Sequence, residues 1–156
     1  MNHYSQVLNY LKTLAEQDDF VNTVTQGDMS DVDINKMNVF NLVHIDVLTA
    51  SFSNGQTINF DVEIMCGQLR DSNKTDEGDK FWNQDNEVDN LNETMAVLNR
   101  IWFKLLEDFT DQNIRVEESA SLDQVTEWNK NLIDGWLMTF SIELPNNVID
   151  ICAPKC

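Results

Sequence analysis

Few residues of this chain have the types and spacing that chemistry requires. His44 lies two positions before Asp46, and in a strand this spacing places both side chains on one face, where they could exchange a proton. A catalytic pair of this kind needs a nucleophile or a metal ion beside it, and the sequence nominates neither. We therefore expect His44 and Asp46 to form a hydrogen-bonded pair at the margin of a sheet.

The cysteines could offer metal binding or cross-linking. Cys152 and Cys156 are four positions apart near the end of the chain, but zinc needs further Cys or His ligands close by and none follow. Cys66 falls on the apolar side of a strand pattern and is expected to be a small core residue. The odd number of cysteines, 3 in 156 residues, also argues against a disulfide framework.

The oxygen-rich run of residues 71–79 resembles a calcium loop in composition only. An EF-hand that starts at Asp71 needs glycine at its sixth position and glutamate at its twelfth, where Asp76 and Trp82 stand. A glycine-rich phosphate loop, a serine-centred elbow and a histidine pair on a helix are also missing. We therefore expect no enzyme, and we assign no catalytic, cofactor-binding or metal-binding residue.

The charge of the chain is strongly negative. Its 27 acidic residues against 10 Lys and Arg give a formal charge of −17. Affinity for phosphates is built from Lys and Arg, so we expect neither specific nucleic-acid binding nor attachment to an anionic membrane. No apolar stretch reaches the ~20 residues of a membrane span, and the N-terminus has no signal-peptide pattern. The charge favours plain solubility, although an acidic wall would also let DNA slide past without adhering. We expect a protein made in a cytoplasm.

Hydrophobic periodicity predicts two amphipathic helices. One covers residues 4–15, and the other covers residues 91–109 behind a cap formed by Asp89 and Asn90. Between them, residues 39–66 read as a long β-hairpin, because two strand patterns flank Asn54-Gly55, the strongest short hairpin signal.

Shorter patterns complete the sheet. Strands are expected at residues 114–117 and 136–144, with a turn at Asp134-Gly135 and a weaker strand at residues 22–26. Residues 118–131 fit either a strand or a poor helix. This order predicts an α+β fold in which a mainly antiparallel sheet packs against the two helices. Residues 1–147 then form one domain that includes a long polar loop, residues 67–88, and residues 148–156 form a C-terminal tail.

The first hairpin strand is apolar on both faces over much of its length. Strict alternation puts Phe40, Leu42, Leu48, Ala50 and Phe52 on one face and four other residues on the second. Either the domain covers both faces, or another subunit covers one. These four are our interface candidates, unless the first helix or the tail covers them: Val39, Val43, Ile45 and Val47.

Two aromatic residues, Phe81 and Trp82, stand within the polar loop. They either fold back onto the sheet or anchor a partner, since tryptophan is enriched at interfaces. We include both as interface candidates.

The order of these elements resembles a known group of proteins. An N-terminal amphipathic helix (residues 4–15), a long hairpin (39–66), a second helix (91–109) and a final strand introduced by Gly135-Trp136 resemble the tail-terminator, neck and tail-completion (head–tail connector) proteins of tailed bacteriophages. The resemblance covers residues 4–144. The Asn- and Asp-rich, proline-poor composition is similar to virion proteins of crAss-like phages.

This resemblance implies a structural role. Such a subunit forms a homo-oligomeric ring, with six or twelve copies both compatible, in the virion between portal and tail. Its neighbours are other neck, portal or tail proteins, assembly takes place in the bacterial host cytoplasm, and DNA passes through the ring without specific binding. The resemblance carries over no catalytic residue, cofactor or membrane contact.

A second class of function is a non-catalytic acidic adaptor or DNA mimic. A mimic would array carboxylates along one face as DNA arrays phosphates. In the sequence the carboxylates concentrate in residues 71–79 and 85–89, which favours the structural role.

Overall fold

A computed structural model describes residues 4–28, 40–53, 55–71, 81, 85–109, 114–128 and 132–146. The described elements are α1 (Tyr4–Glu16), β1 (Thr23–Gln26), β2 (Leu42–Ser53), β3 (Thr57–Leu69), α2 (Glu87–Phe109), β4 (Arg115–Val116), β5 (Ser121–Trp128) and β6 (Ile133–Pro145). The predicted α+β fold, with its long hairpin and two amphipathic helices, is confirmed.

The strands form one mixed sheet in which antiparallel pairing dominates. Its order is β1-β2-β3-β6-β4, and β5 also pairs with β6. β1 lies parallel to β2, whereas the other pairings are antiparallel. β6 therefore lies inside the sheet, between β3 on one side and β4 and β5 on the other.

Both helices pack on the same face of the sheet, with α1 over β1 and β2 and α2 over β3 and β6. The buried stripes of the helices include Val7 and Leu11 of α1 and Leu98 and Ile101 of α2. Full burial of one such side chain contributes about 1.5–3 kcal/mol. Alternate residues of two strands complete the core, on the faces that the sequence predicts: Ile58, Phe60, Val62, Ile64 and Cys66 of β3, and Met138, Phe140, Ile142 and Leu144 of β6.

Hydrogen bonds fix the helices to each other and to the sheet. The Tyr10 hydroxyl of α1 donates to Asp108 Oδ2 of α2 at 2.8 Å. The Trp136 indole of β6 donates to the Leu91 carbonyl of α2 at 2.9 Å. Since each bond joins elements far apart in sequence, together they set how the helices lie on the sheet.

Three predicted boundaries are wrong. The Asn90 amide donates to the Asn86 carbonyl at 2.9 Å, so α2 begins at Glu87, and Asp89 and Asn90 do not cap it. β3 continues to Leu69, which shortens the predicted loop at both ends. Asp134 and Gly135 lie inside β6 and not in a turn. The strand backbones approach so closely there that a Cβ at Gly135 would overlap the Cys66 carbonyl oxygen.

Other local predictions are confirmed. Gly55 has a φ of 68°, and the Gln56 amide donates to the Ser53 carbonyl at 3.1 Å, which closes the hairpin turn; Asn54 itself lies outside the described residues. The weak strand predicted at residues 22–26 is β1, and the ambiguous segment 118–131 contains a strand, β5.

Candidate interaction surfaces

His44 is a structural residue that holds β1 to β2. The Gly27 carbonyl, 2.9 Å from Nε2, can only accept, so Nε2 carries the proton. Nδ1 forms a second hydrogen bond, with the Thr25 hydroxyl at 2.7 Å. The expected pairing of His44 with Asp46 is therefore wrong, because both ring nitrogens bind the β1 segment.

Cys66 is the small core residue that the sequence predicts. Its side chain is buried, and burial, with a further contribution from Asp18, raises the pKa of the thiol to about 12. A thiol in this state is a poor nucleophile near neutral pH. Cys152, Cys156 and residues 72–80 lie outside the described residues. Within the described ranges, no group of three or more His, Cys, Asp or Glu side chains could hold a metal ion.

A buried cluster that we call the polar junction joins β3, β6 and α2. At its centre Arg70 donates from Nε and Nη2 to both carboxylate oxygens of Asp134, at 2.9 and 2.8 Å. Arg70 Nη2 also donates to Glu87 Oε2 at 2.6 Å. Asn90 donates to the Leu69 carbonyl at 3.0 Å. The Asp134 side chain has 0% exposure and that of Arg70 has 10%, so we interpret the polar junction as a buried structural contact between the three elements.

The polar junction is not predicted by the sequence patterns described above. The signal that could have found it is Asp134, the one charged residue between positions 132 and 142. A lone carboxylate in a buried strand needs a cationic partner. The sequence does not show which cation pairs with Asp134, because Arg70 is 64 positions away.

The structure corrects two interface candidates, Val43 and Ile45. Both are buried, at 0% and 1% exposure, in the hydrophobic cluster that α1 completes with Val7 and Leu11. Leu42, on the opposite face of β2, is also buried. At this end of the sheet the chain covers both faces of β2 by itself, which is one of the two arrangements that the sequence allowed.

The remaining candidates have different fates. Val47 is partly buried and packs against the core. Phe81 lies in a turn and is 73% exposed, so it has not folded fully onto the sheet. Val39 and Trp82 lie outside the described residues.

A β-bulge at Leu48 changes which residues share a face. Val47 pairs with Val62, but Thr49 pairs with Asp61, so Leu48 is an extra residue in β2. Ala50 and Phe52 are thereby moved to the helix-bearing face, together with Val43 and Ile45, and their predicted face is wrong.

We call residues 47–60 the hairpin tip. Beyond the bulge, none of the described strands pairs with the outer edge of β2, because β1 ends at Gln26 opposite Ile45. Phe52 is 72% exposed and Leu48 is 46% exposed. The sequence from 47 to 60 contains no charged residue or histidine, although 24% of the chain is charged. The hairpin tip therefore contains an uncharged, unpaired strand edge that exposes two large apolar side chains, Leu48 and Phe52, to a partner.

A second open edge lies at the other end of the sheet. β5 pairs with β6, and its outer edge has no partner among the described strands. Between β5 and α2 runs a groove of about 480 Å³, which we call the α2–β5 groove. None of its lining residues is charged; they include Met95, Ala96, Asn99, Trp102, Leu122 and Met138. Met95 and Leu122 are 37% and 41% exposed, so this apolar surface is accessible.

The face of the sheet away from the helices is acidic. Residues that pair across strands share a face, and this register places five carboxylates together. We call them the acidic face: Asp46, Asp61, Glu63, Asp123 and Glu143. Arg115, opposite Glu143, is the one cation among the described residues of this face.

Two carboxylates of the acidic face have pKa values shifted in opposite directions. Hydrogen bonds from the Thr49 and Ser141 hydroxyls lower the pKa of Asp61. Burial, and then the charges of Asp46 and Asp123, raise the pKa of Glu63. The repulsion at Glu63 shows that these carboxylates are close enough to sense one another.

Comparison with known proteins leaves the function to be inferred from these surfaces. The chain matches no protein-family model and no curated protein. Neither helix of the described ranges is long and apolar enough to cross a membrane.

Proposed function

We propose that this chain is a structural subunit of the neck or tail of a tailed phage, and that it forms a ring through the two open edges of its sheet. One observation carries the assembly part of the proposal. The hairpin tip of β2 and the outer edge of β5 lie at opposite ends of one sheet, and neither is paired by another described strand. Unpaired strand edges are templates for another chain.

The two open edges differ in sequence, so a contact between them is head-to-tail and has cyclic symmetry when it closes. When one edge of a copy contacts the other edge of the next, the contact is heterologous and generates a closed ring if the rotation closes. The order of elements, which resembles that of tail-terminator and neck proteins, supports the place of this ring between portal and tail.

The acidic face supports a role as the wall of a DNA conduit. Five carboxylates on one face, with Arg115 as their one described cation, repel a polyanion. In this proposal the acidic face lines the lumen, and DNA passes without specific binding. The protein acts without catalysis, cofactor or membrane contact.

The first test is the mass of the purified protein across concentration, by light scattering together with negative-stain imaging. Rings of six or twelve copies are expected, alone or on addition of portal or tail partners. A chain that stays monomeric at every concentration, with and without those partners, overturns the ring.

The lumen is tested by charge reversal. Glu63→Lys with Glu143→Lys is expected to make the rings retain double-stranded DNA in a mobility assay and to slow genome ejection from particles that carry the variant. Glu93→Lys with Glu107→Lys is the matched control, because it makes the same change in net charge at two exposed residues of α2, on the other side of the sheet. Equal behaviour of the two variants would contradict the lumen assignment.

The acidic face also favours a second candidate, a DNA-mimic adaptor. A mimic displays carboxylates on one continuous surface, and the sheet provides such a surface although the sequence suggested that the charges lie in loops. This alternative expects a monomer that binds a basic DNA-binding protein, with the binding lost in the Glu63→Lys, Glu143→Lys variant.

A further inference from the structure

We infer that the hairpin tip of one copy occupies the α2–β5 groove of the next copy, with Phe52 as the anchor. This inference rests on the proposed ring, and it names the contact that builds it. The occupant of the groove is a second copy of this chain.

The geometry of the sheet brings the two surfaces together. Phe52 pairs with Ile58, a core residue, so the Phe52 side chain lies on the helix-bearing face of the sheet. Leu122 pairs with Met138, another core residue, and lies on the same face. A hairpin tip that continues the sheet beyond β5 of the next copy therefore places Phe52 beside Leu122, over the groove.

The groove has the size and lining for an aromatic anchor. Its volume of about 480 Å³ exceeds that of one phenylalanine side chain. Trp102 in its wall is held edge-on against Phe140, with ring centroids 5.5 Å apart, which gives an arriving ring a fixed surface. Main-chain hydrogen bonds between the β2 and β5 edges would add affinity, as in strand addition.

Charge explains why these two surfaces would be chosen. Each copy carries −17, so two copies repel each other over most of their surface. The hairpin tip has no charged residue from 47 to 60, and the groove lining has none either. A contact between them brings no two carboxylates together in the groove, and Asp123 of β5 lies on the opposite face of the sheet.

The test uses two variants of equally exposed phenylalanines. Phe52→Asp is expected to weaken self-association at least about tenfold by light scattering, because it puts a charge into an apolar contact. Phe103→Asp is the control, since Phe103 of α2 is 64% exposed but does not line the groove. Circular dichroism melting checks that both variants remain folded.

A mixing experiment tests the direction of the contact. Ala96→Glu places a charge in the groove and leaves the hairpin tip intact, whereas Phe52→Asp leaves the groove intact. Each variant alone is expected to be monomeric, and an equimolar mixture is expected to form a dimer that does not grow, since one contact of the two is sound.

The outcomes separate this inference from the proposed function. Rings that persist in Phe52→Asp overturn the tip-and-groove contact and leave ring assembly standing. A wild-type chain that never self-associates overturns both. Ser51→Cys keeps Phe52 in place, and in a background with Cys152→Ser and Cys156→Ser it tests the remaining arrangement. Cys66 is buried, so a disulfide between copies can form only through the introduced cysteine. Disulfide-linked dimers of this variant would show tip-to-tip pairing and overturn the inference, whereas no cross-link is expected when the tip lies in the groove.

Discussion

Arg70 holds Asp134 through two parallel hydrogen bonds, 2.9 Å from Nε and 2.8 Å from Nη2, although 64 positions separate the residues. Arg70 directly follows β3 and Asp134 is the second residue of β6, so the pair links the end of one strand to the start of the other. Because Arg70 Nη2 also reaches Glu87, 2.6 Å away at the start of α2, one guanidinium fixes three elements. Planar, bidentate geometry of this kind is specific to arginine.

Removal of one partner from this pair is expected to be costly. Asp134→Ala leaves the Arg70 charge buried without its main partner, and we expect a loss of about 3–5 kcal/mol in the free energy of unfolding. Urea denaturation at neutral pH measures it. The control is Lys12→Met, which breaks the Lys12–Glu16 pair. Both side chains are more than half exposed, at 56% and 52%, so that loss is expected to be about 1 kcal/mol or less.

The triple variant Asp134→Leu, Arg70→Met, Glu87→Gln tests whether the charges of the polar junction are needed for stability. It removes the guanidinium and both carboxylates that it binds, so none of these ions is left without a partner, and the triple variant is expected to be more stable than Asp134→Ala. A triple variant no more stable than the single one would mean that the junction geometry itself is needed.

Gly135 is predicted to be the least replaceable of the described glycines. In Gly135→Ala the added Cβ would overlap the Cys66 carbonyl oxygen, which is backbone of the neighbouring strand and cannot turn away. We expect a loss of about 3 kcal/mol or more, since two central strands must separate. Gly55→Ala is the control: no atom lies within 4 Å of its Cβ, and only its positive φ resists, at about 1 kcal/mol. Thermal melting ranks the two, and equal losses would contradict the close approach.

Two carboxylates of the acidic face are expected to respond to pH with opposite signs. The folded-state pKa of Glu63 is raised, by burial first and then by Asp46 and Asp123. Its contribution to stability is therefore fully present below its unfolded pKa of about 4.3 and is lost as pH rises through the folded value. Glu63→Gln is expected to stabilise the protein at pH 7 by about 0.5 kcal/mol or less, with the gain vanishing below pH ~4.

Asp61 provides the opposite sign. Thr49 and Ser141 lower its folded-state pKa, so its contribution is present above the unfolded pKa of about 3.9 and is lost as pH falls through the folded value. Asp61→Asn is expected to destabilise at pH 7, with a difference that shrinks on acidification. Urea denaturation from pH 3 to pH 7 tests both variants, and the same sign for the two would contradict the assignment.

Thr25 is predicted to matter through its hydroxyl. Thr25→Val leaves His44 Nδ1 buried without its hydrogen-bond partner, and we expect a loss of about 1–2 kcal/mol. Thr23→Val, on the same short strand, is a matched control, because the Thr23 side chain has no hydrogen-bond partner among the described residues. If both variants lose the same stability in urea, the effect is one of strand packing and not of the histidine contact.

Hydrophobic periodicity predicted the main helices and strands of this fold, but it did not predict correctly which side chains share a face along all of β2. Both helices and the hairpin are recognisable because their patterns are long and end at turn or polar residues. The faces of β2 were wrong beyond Val47, because strict alternation assumes one residue per pleat and the bulge at Leu48 adds another. Val43 and Ile45 show a different limit: an apolar strand face looks the same in sequence whether a helix or another subunit covers it.

The polar junction shows how tertiary contacts override a local signal. Asp134-Gly135 has the composition of a turn, yet Asp134 meets Arg70 and Gly135 admits the neighbouring backbone, so both lie within β6. The two open edges could not be predicted from the sequence either, because which strand lies at an edge depends on the strand order of the sheet.

The position of β6 has a consequence for biosynthesis. β6 is the last described strand in the chain, yet it lies inside the sheet, and its pairing with β3 joins residues as far apart as Cys66 and Trp136. Contacts this distant in sequence form late. While a ribosome is still producing the residues before Ile133, β3 presents its apolar pattern along an open edge, and β4 and β5 have no strand to join. Folding of the described sheet is therefore completed only after synthesis has passed Pro145, and nascent chains interrupted before β6 are the form most exposed to aggregation.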